Sequence, residues 1–508
     1  MNKLCKRECE SSCEYVLPDY MGDVKKILSV SANATPSGKF ASDGHVQFSG
    51  VVTYDVLYSD FEGKLTQLSA SSDYDISVPV DNDGYTDSAA DARVANFSVR
   101  LTGPRKLVAK SIVSADVSVE SARVVECIGD AFAEGASPEV LSEEISVSTS
   151  LYGTSAEREY AEEAERFVGI GAEDVEVIAT SGAVRIIESV ATEGGVSVKG
   201  ELIITSIVRT ESQPPFAIKK VIPFEETVSV EGIGQDMRTT ADGYLTSVTS
   251  GVADGDDGAS LTVNAIAEFT VRAEKNESIS VVADAYMKEQ DTVGTYEDFY
   301  YNSLVCAANS EVSFTAAVPR SEIGCEGIRE ILTLACELRS IEEKVSHNGF
   351  EIFGDASFSG VACEINEENR PIYVPIKFTS PFSANVNCSC QIPTSAEILC
   401  SVRALDVDFS LDAERLSVKC PVKVAYTVTE PKVIKRLVEC RAVGEAKYKS
   451  KPSVVTVYYP EKDESLFEVA KKFHTTVAKI AKDNALGEQT VALGAQNNPP
   501  EVKKLIIR

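Results

Sequence analysis

Histidine is almost missing from this chain. His45, His347 and His474 are the only three among 508 residues, and they lie in separate segments. That spacing argues against a His-based catalytic dyad and against a histidine-rich metal site, both of which need imidazoles side by side. No run of about 18 apolar residues occurs, the length a membrane-spanning helix requires. The opening, MNKLCKRECESSCEY, has charges where the apolar core of an export signal would stand, so a cytoplasmic protein is expected. Basic residues are few beside acidic ones, 49 Lys and Arg against 78 Asp and Glu, for a net charge of -29. Such a balance disfavours nucleic acid as a partner, because phosphates are bound by clustered cations, and it favours basic partners.

Catalytic signatures are missing too. ATPSGKF, Ala34–Phe40, has Asn33 where a phosphate loop needs its first glycine, and Phe40 follows Lys39 in place of Ser or Thr. GIGAED and GIGQDM lack the third glycine of a dinucleotide fingerprint, and no GxSxG elbow occurs. Acidic loops such as ADGDDG read as solvated, not as paired acid and base. No catalytic residue, cofactor or metal site is expected, and the reading is of a protein that is not an enzyme.

Thirteen cysteines, an odd number, fit poorly with a disulfide framework in a long chain without an export signal. Most read as reduced, buried small apolar residues. Cys5, Cys9 and Cys13 are four apart, either on one helical face suited to metal binding or crosslinking, or in a mobile tail. Cys388 and Cys390 project from one face of a strand, as packing residues.

What the chain has in quantity is β pattern. Val, Ile, Thr, Ser and Tyr form long alternating runs punctuated by Gly, Asp and Asn. Its length suits roughly three to five domains. Within it one pattern recurs. HVQFSGVVTYDVLYSD, GVSVKGELIITSIVRT and GFEIFGDASFSGVACE each run into a glycine, Gly50, Gly200 and Gly354. Downstream of each come an aromatic, Tyr74, Phe224 and Phe382, and then a strand holding Leu107, Leu261 and Leu416. Three copies of one β domain are expected, with the glycine allowing a bulge or close approach and the aromatic filling the core.

The boundaries read from these features are a cysteine-rich tail at 1–14, repeats at 15–125, 181–290 and 322–446, connectors at 126–180 and 291–321, and a terminal module at 452–508. Helices are expected at Ser155–Gly169 and in the segments DVKKILSV and GCEGIREILTLAC. EDFYYNSLV, in the second connector, is an extra strand or an arm.

The terminal module predicts β-α-α-β. VVTVYY is a strand. SLFE, Ser465–Glu468, is a capping box, and Leu466, Val469, Ala470 and Phe473 make the apolar stripe of a first helix. A second helix begins at Thr476 and ends near Asn484, a residue that tolerates the left-handed conformation of a C-cap. KKLIIR closes the module as a strand.

That order, with DESLFEVAKKFHTTVAKIAKDNAL in place of the usual Gly-Asp-Thr-Leu-Trp-x-Ile-Ala-Lys-Lys-Tyr and downstream Asn-Leu, resembles a LysM domain. The resemblance implies an N-acetylglucosamine groove between two loops, one with Asp463, Glu464, Ser465 and Leu466, the other with Asn484, Ala485 and Leu486. Phe467 takes the position of the family's tryptophan and Asp463 that of its glycine. With EKDE where a sugar should approach the backbone, the loop reads better as a protein-docking edge.

Upstream, YVLPDYMGDVKKILSVSANA, the V-x-F-x-G … YDVLYSD strand pair and DYDISVP resemble the SPOCS domain of spore-coat-associated proteins of endospore-forming Firmicutes. SPOCS repeats followed by LysM are the arrangement of SipL-type spore morphogenetic proteins of Clostridia. The resemblance implies a mainly β fold of three SPOCS-like domains and a LysM-like domain. It also implies an assembly adaptor at the forespore surface in the mother-cell cytoplasm, within the spore coat. Its expected partners are the coat's basement-layer morphogenetic ATPase, other coat proteins and further copies of itself. The alternative is a peptidoglycan-binding cell-wall or cortex protein.

Overall fold

The alternating runs fold as strands, because side chains on a pleated strand point to opposite faces in turn. The computed structural model describes residues 2–42, 44–80, 85–121, 138–323, 327–346, 348–367, 370–445, 455–461, 464–486 and 504–507. It is mainly β, and it divides into two compact units: 1–123, 149–275 and 304–430 in one, and 124–148, 276–303 and 431–508 in the other.

In the first unit the same antiparallel three-stranded sheet occurs three times. Its strands are β2 (Val24–Ser42), β3 (His45–Asp60) and β4 (Leu65–Pro79); β9 (Val175–Thr192), β10 (Gly195–Thr210) and β11 (Gln213–Ser229); and β15 (Ile328–Ser346), β16 (Gly349–Ile365) and β17 (Pro371–Asn387). Each packs against a second sheet. For the first pair this is β1 (Asn2–Val16), β6 (Lys106–Ser121) and β5 (Tyr85–Gly103), in that order. For the second it is β12 (Arg238–Gly255), β13 (Gly258–Tyr286) and β7 (Glu139–Thr154), with β8 (Arg158–Val168) also on β13. For the third it is β14 (Gln290–Pro319), β20 (Arg415–Glu445) and β18 (Glu397–Ala404), with β19 (Asp408–Leu411) on β20. Leu107, Leu261 and Leu416 all lie buried, one on each of β6, β13 and β20.

The apolar face of each strand fills the gap between its two sheets. Val46, Tyr54, Tyr74, Val113 and Val117 share one core, and Val198, Leu202, Phe224, Val263 and Phe269 a second. Phe350, Phe358, Phe382, Val422 and Tyr426 belong to a third. The three sheets then meet cyclically, β4 on β9, β11 on β15 and β17 on β2. At their meeting point Leu28, Ile178 and Leu332 join Leu57, Ile207 and Val361 in one cluster. Each of the latter stands seven residues after its glycine, Gly50 to Leu57, Gly200 to Ile207 and Gly354 to Val361.

Several sequence expectations change here. The described residues of the tail expected at 1–14 lie in β1, paired along its length with β6 from Asn2↔Glu120 to Val16↔Lys106. A spacing of four divides by two as well as by the helical turn, so Cys5, Cys9 and Cys13 share a strand face, half-buried on the first core. The helix expected at Ser155–Gly169 is β8, which takes an open edge of β13 and turns Tyr160 and Phe167 inward. Ladder pairing outweighs the helical propensity of its Glu and Ala residues.

DVKKILSV and GCEGIREILTLAC are not helices either. From Val24 and Ile328 onward they are the first turns of β2 and β15, and Gly324, Cys325 and Glu326 lie outside the described residues. Each of these strands opens with two bulges, at Val24/Lys26 and Ile27/Ser29 and at Ile328/Glu330 and Ile331/Thr333, and has a third further along. A bulge inserts a residue into the period of two, so buried positions fall at helical spacing, as with Val24 and Leu28 or Ile328, Ile331 and Leu332. EDFYYNSLV lies within β14, so the segment expected as a connector at 291–321 is almost all strand. Connector 126–180 holds β7, β8 and the start of β9, while its residues 126–137 lie outside the described ones.

The second unit contains the far ends of β7, β13, β14 and β20 together with the terminal module. The module's elements are β21 (Thr456–Tyr458), α1 (Leu466–Lys472), α2 (Val477–Asp483) and β22 (Leu505–Ile507), the predicted β-α-α-β order. β21 and β22 pair antiparallel through Thr456↔Ile507 and Tyr458↔Leu505.

Candidate interaction surface

The capping box forms as its sequence requires. The Ser465 hydroxyl accepts from the Glu468 N–H at 3.1 Å, and the Glu468 carboxylate accepts from the Ser465 N–H at 2.7 Å. The α1 stripe Leu466, Val469 and Ala470 is buried with Phe467, Ile480, Leu505 and Ile507. Thr476 caps α2 by accepting from the Lys479 N–H at 3.0 Å. Asn484 does not take the left-handed conformation; Ala485 does, at φ 52°. The Asn484 side chain has another task. It donates to the carbonyls of Ile480 at 2.8 Å and Ile506 at 2.7 Å and accepts from the Ile506 N–H at 2.6 Å, tying α2 to β22.

The residues expected to meet a partner or a glycan therefore split. Asp463 lies outside the described residues. The Glu464 carboxylate accepts from the Tyr458 hydroxyl at 2.9 Å and from the Glu461 N–H at 3.0 Å, holding its own loop. Ser465, Leu466 and Phe467 are 4%, 1% and 4% exposed, so they build the module and present almost nothing outward. Leu486 packs on the same core, with Ala485 in the turn before it.

Phe467 faces the strands of its own unit. The Tyr286 ring, at the end of β13, stands edge-on to it with centroids 5.1 Å apart, and the Tyr286 hydroxyl donates to the Thr475 carbonyl at 2.5 Å. Around this contact the Lys471 ammonium donates to both Asp284 carboxylate oxygens at 2.7 Å, and the Tyr296 hydroxyl donates to Asp284 at 2.7 Å. His474 lies 2.9 Å from Asp291 through Nε2 and 3.1 Å from the Met287 carbonyl through Nδ1. Burial pulls the Lys471 ammonium down, but its bond and charge pairing with Asp284 outweigh this and raise it above the ordinary lysine value. Burial pushes the Tyr286 and Tyr296 phenols up. The module is thus seated on β13 and β14 by an aromatic pair ringed with charge-assisted bonds. Sequence reading missed the strand side of this contact; its signal was the density of Asp and Tyr from Asp284 to Tyr301.

A charged cluster in the first unit was missed as well. Asp242 on β12 pairs with Lys423 of β20 at 2.6 Å and Arg403 of β18 at 3.1 Å, and Arg403 reaches Asp91 of β5 at 2.6 Å. The Arg403 guanidinium also lies 4.5 Å over the Tyr244 ring. Burial alone would raise the Asp242 carboxyl; Arg403 and Lys423 outweigh it and hold it at about 2. Burial lowers Lys423, with Asp242 opposing. These charges come from all three sheet pairs, and two of them, Asp91 and Asp242, line a cavity of about 420 Å³ together with Tyr152, Tyr244 and Arg272. A buried charge cluster of this kind joins elements distant in sequence, with the Arg403 Nε left without a hydrogen-bond partner, so no local motif announces it.

Among the described residues, no group of three or more His, Cys, Asp or Glu side chains is placed to hold a metal ion. None of their helices is long and apolar enough to cross a membrane.

The fold and these contacts define a β protein with a separately seated α/β module, and comparison with known families adds one match. The family model described as SipL, SPOCS domain, matches residues 174–252. That segment, which runs from the turn before β9 through β10 and β11 into β12, is thus similar to a SPOCS domain. No curated protein and no solved structure matches the chain.

Proposed function

We propose that this chain is a sporulation protein that acts as a non-enzymatic assembly adaptor of the spore coat. The observation that carries the reading is the SPOCS match at 174–252, inside a ring whose other two sheets have the same strand order. On this reading all three sheet pairs are SPOCS-like copies and residues 452–508 are a LysM-like domain. That domain docks to the morphogenetic ATPase of the coat's basement layer, while the repeats contact other coat proteins or further copies of the chain. Linked modules on a polymerised surface gain avidity through effective concentration, without one tight contact. The place of action is the mother-cell cytoplasm at the forespore surface.

A fluorescent fusion of the full chain, followed through sporulation, tests this. A ring of signal around the forespore that disperses when residues 452–508 are deleted supports the adaptor; signal confined to vegetative cells overturns it. The β-α-α-β order also supports a second reading, binding of N-acetylglucosamine glycans of peptidoglycan. Sedimentation of the purified chain with insoluble peptidoglycan, competed by soluble chitin oligomers, would favour that reading over the adaptor.

A further inference from the structure

Two cavities in the first unit occupy the same place in two copies of the sheet. In the second copy Arg185 is the ladder partner of Glu201, one residue after Gly200; in the third Arg339 is the partner of Asp355, one residue after Gly354. Lys219 and Lys377 each stand five residues before the recurring aromatic, Phe224 and Phe382. The first copy has no cation at either position, where Thr35 and Ser69 stand. Arg185 and Lys219 line a cavity of about 380 Å³, and Arg339 and Lys377 line one of about 620 Å³.

What faces the two cations differs. In the second copy the neighbouring sheet pair supplies carboxylates. Glu311 of β14 accepts from Arg185 at 2.6 and 2.9 Å, and Asp406 and Asp408 lie 2.6 and 3.8 Å from the Lys219 ammonium. In the third copy the facing strand is β5, which brings Phe97 and Arg100 to the cavity and no carboxylate. Arg339 pairs with Glu337 of its own strand at 2.9 Å and stands 6.0 Å from the centre of the Phe97 ring. Lys377 and Arg100 are exposed, and neither has a hydrogen-bond or ion-pair partner among the described residues. Three cations against one carboxylate make this cavity a positive spot on a chain of net charge -29.

We propose that the cavity between β5 and the third sheet binds an acidic peptide segment of a protein partner, whose carboxylates take on Lys377, Arg100 and Arg339 the places that Asp406, Asp408 and Glu311 hold in the second copy. The second copy also supplies the pattern of the segment, since Asp406 and Asp408, two residues apart, both reach one ammonium. An Asp-x-Asp stretch is therefore the shortest motif that fits. Charge-assisted bonds to guanidinium and ammonium groups hold such a stretch, and Phe97 and Phe378 offer an apolar wall to the residues between its carboxylates. The inference rests on the reading that the repeats contact other proteins and gives that contact a place. Its test uses the purified chain alone, so its failure leaves the forespore localisation of the adaptor untouched.

The probe is a synthetic peptide with the chain's own sequence from Ala404 to Asp412, ALDVDFSLD, labelled with fluorescein at its N-terminus and titrated with the full-length chain at low salt. Expected is a saturable rise in anisotropy that disappears when both aspartates matching Asp406 and Asp408 are replaced by Asn. Lys377→Gln and Arg100→Gln should each weaken binding by about tenfold. Lys344→Gln, the same change of charge on an exposed residue of β15 outside the cavity, should leave binding unchanged. Carbodiimide coupling of the peptide to the wild-type chain should join one of its carboxylates to the Lys377 amine, a map that decides the matter even if a variant folds poorly. Absence of saturable binding at millimolar peptide overturns the proposal. So do equal binding of the Asn peptide and coupling to other lysines with Lys377 unmodified.

Discussion

Gly200 and Phe224 are direct partners in the antiparallel ladder of β10 and β11, and the Phe224 ring lies over the space a side chain at Gly200 would occupy. A Cβ there would fall 2.7 Å from Phe224 Cζ and 2.2 Å from the Arg185 carbonyl oxygen. The other two sheets repeat the pairing, Gly50↔Tyr74 and Gly354↔Phe382. In each sheet the strand on the far side of the glycine bulges at the same level, at Pro36/Gly38, Ile186/Glu188 and Arg339/Glu342. The bulge brings a backbone in from one side and the aromatic covers the gap from the other, so only glycine fits between them.

Gly200→Ala should accordingly lower stability by about 1–3 kcal/mol through forced movement of backbone and ring. Gly251→Ala, where nothing lies within 4 Å of the added carbon, should change it by less than about 0.5 kcal/mol. Urea unfolding midpoints of the two variants compare them directly; equal midpoints would remove the steric account of the repeated glycine.

Asp242→Asn leaves Lys423 and Arg403 with little compensation and should cost about 3–5 kcal/mol. The wild-type carboxyl, held at about 2, lies below its unfolded value. Its contribution is therefore complete above roughly pH 4 and is lost as the pH falls toward 2. Acid unfolding followed by circular dichroism should show this loss in the wild type and a flatter profile over the same window in the variant.

Tyr286→Phe keeps the ring against Phe467 and removes the donor to the buried Thr475 carbonyl, a loss of about 1–2 kcal/mol in the second unit. Hydrogen exchange of amides 466–486 should speed up, while those of β10 and β16 stay unchanged. Uniform acceleration through the whole chain would contradict a locally seated module.

Within the module, Ser465→Ala removes the cap and should cost about 1 kcal/mol. Asn484→Ala should cost more, about 2–3 kcal/mol, because it strands the Ile506 N–H and two carbonyls. Thermal melts of both variants, read by the helical signal of the second unit, rank the two positions. If Asn484→Ala melts like wild type, the residue belongs to a binding loop and not to the scaffold.

Local chemistry was legible in the sequence wherever the partners are close along the chain. The capping box of Ser465 and Glu468, the Thr476 cap and the Gly-aromatic recurrence all follow from spacing, since each depends on residue type and on distances a strand or helix fixes. Three readings failed for one reason, which is that hydrogen-bonding partners far away decide between helix and strand. Arg158–Val168 is helix-prone and became β8 because β13 offered an edge. Bulges in β2 and β15 imitated helical periodicity, and the cysteine-rich start became β1 because β6 needed a neighbour.

The site divides along the same line. Glu464, Leu466, Phe467 and Asn484 were picked out by position in a motif, but which way they face is set by contacts with Tyr458, Tyr286 and Ile506. By itself the sequence determined the β class, the threefold recurrence of glycine and aromatic, and the helices of the terminal module, because periodicity and capping act over a few residues. Only the tertiary structure decided that Leu28, Ile178 and Leu332 share one centre and that Asp242 meets Arg403 and Lys423. It also decided that Phe467 is covered by Tyr286. Each of those contacts joins residues more than a hundred positions apart, and no local preference can encode their meeting.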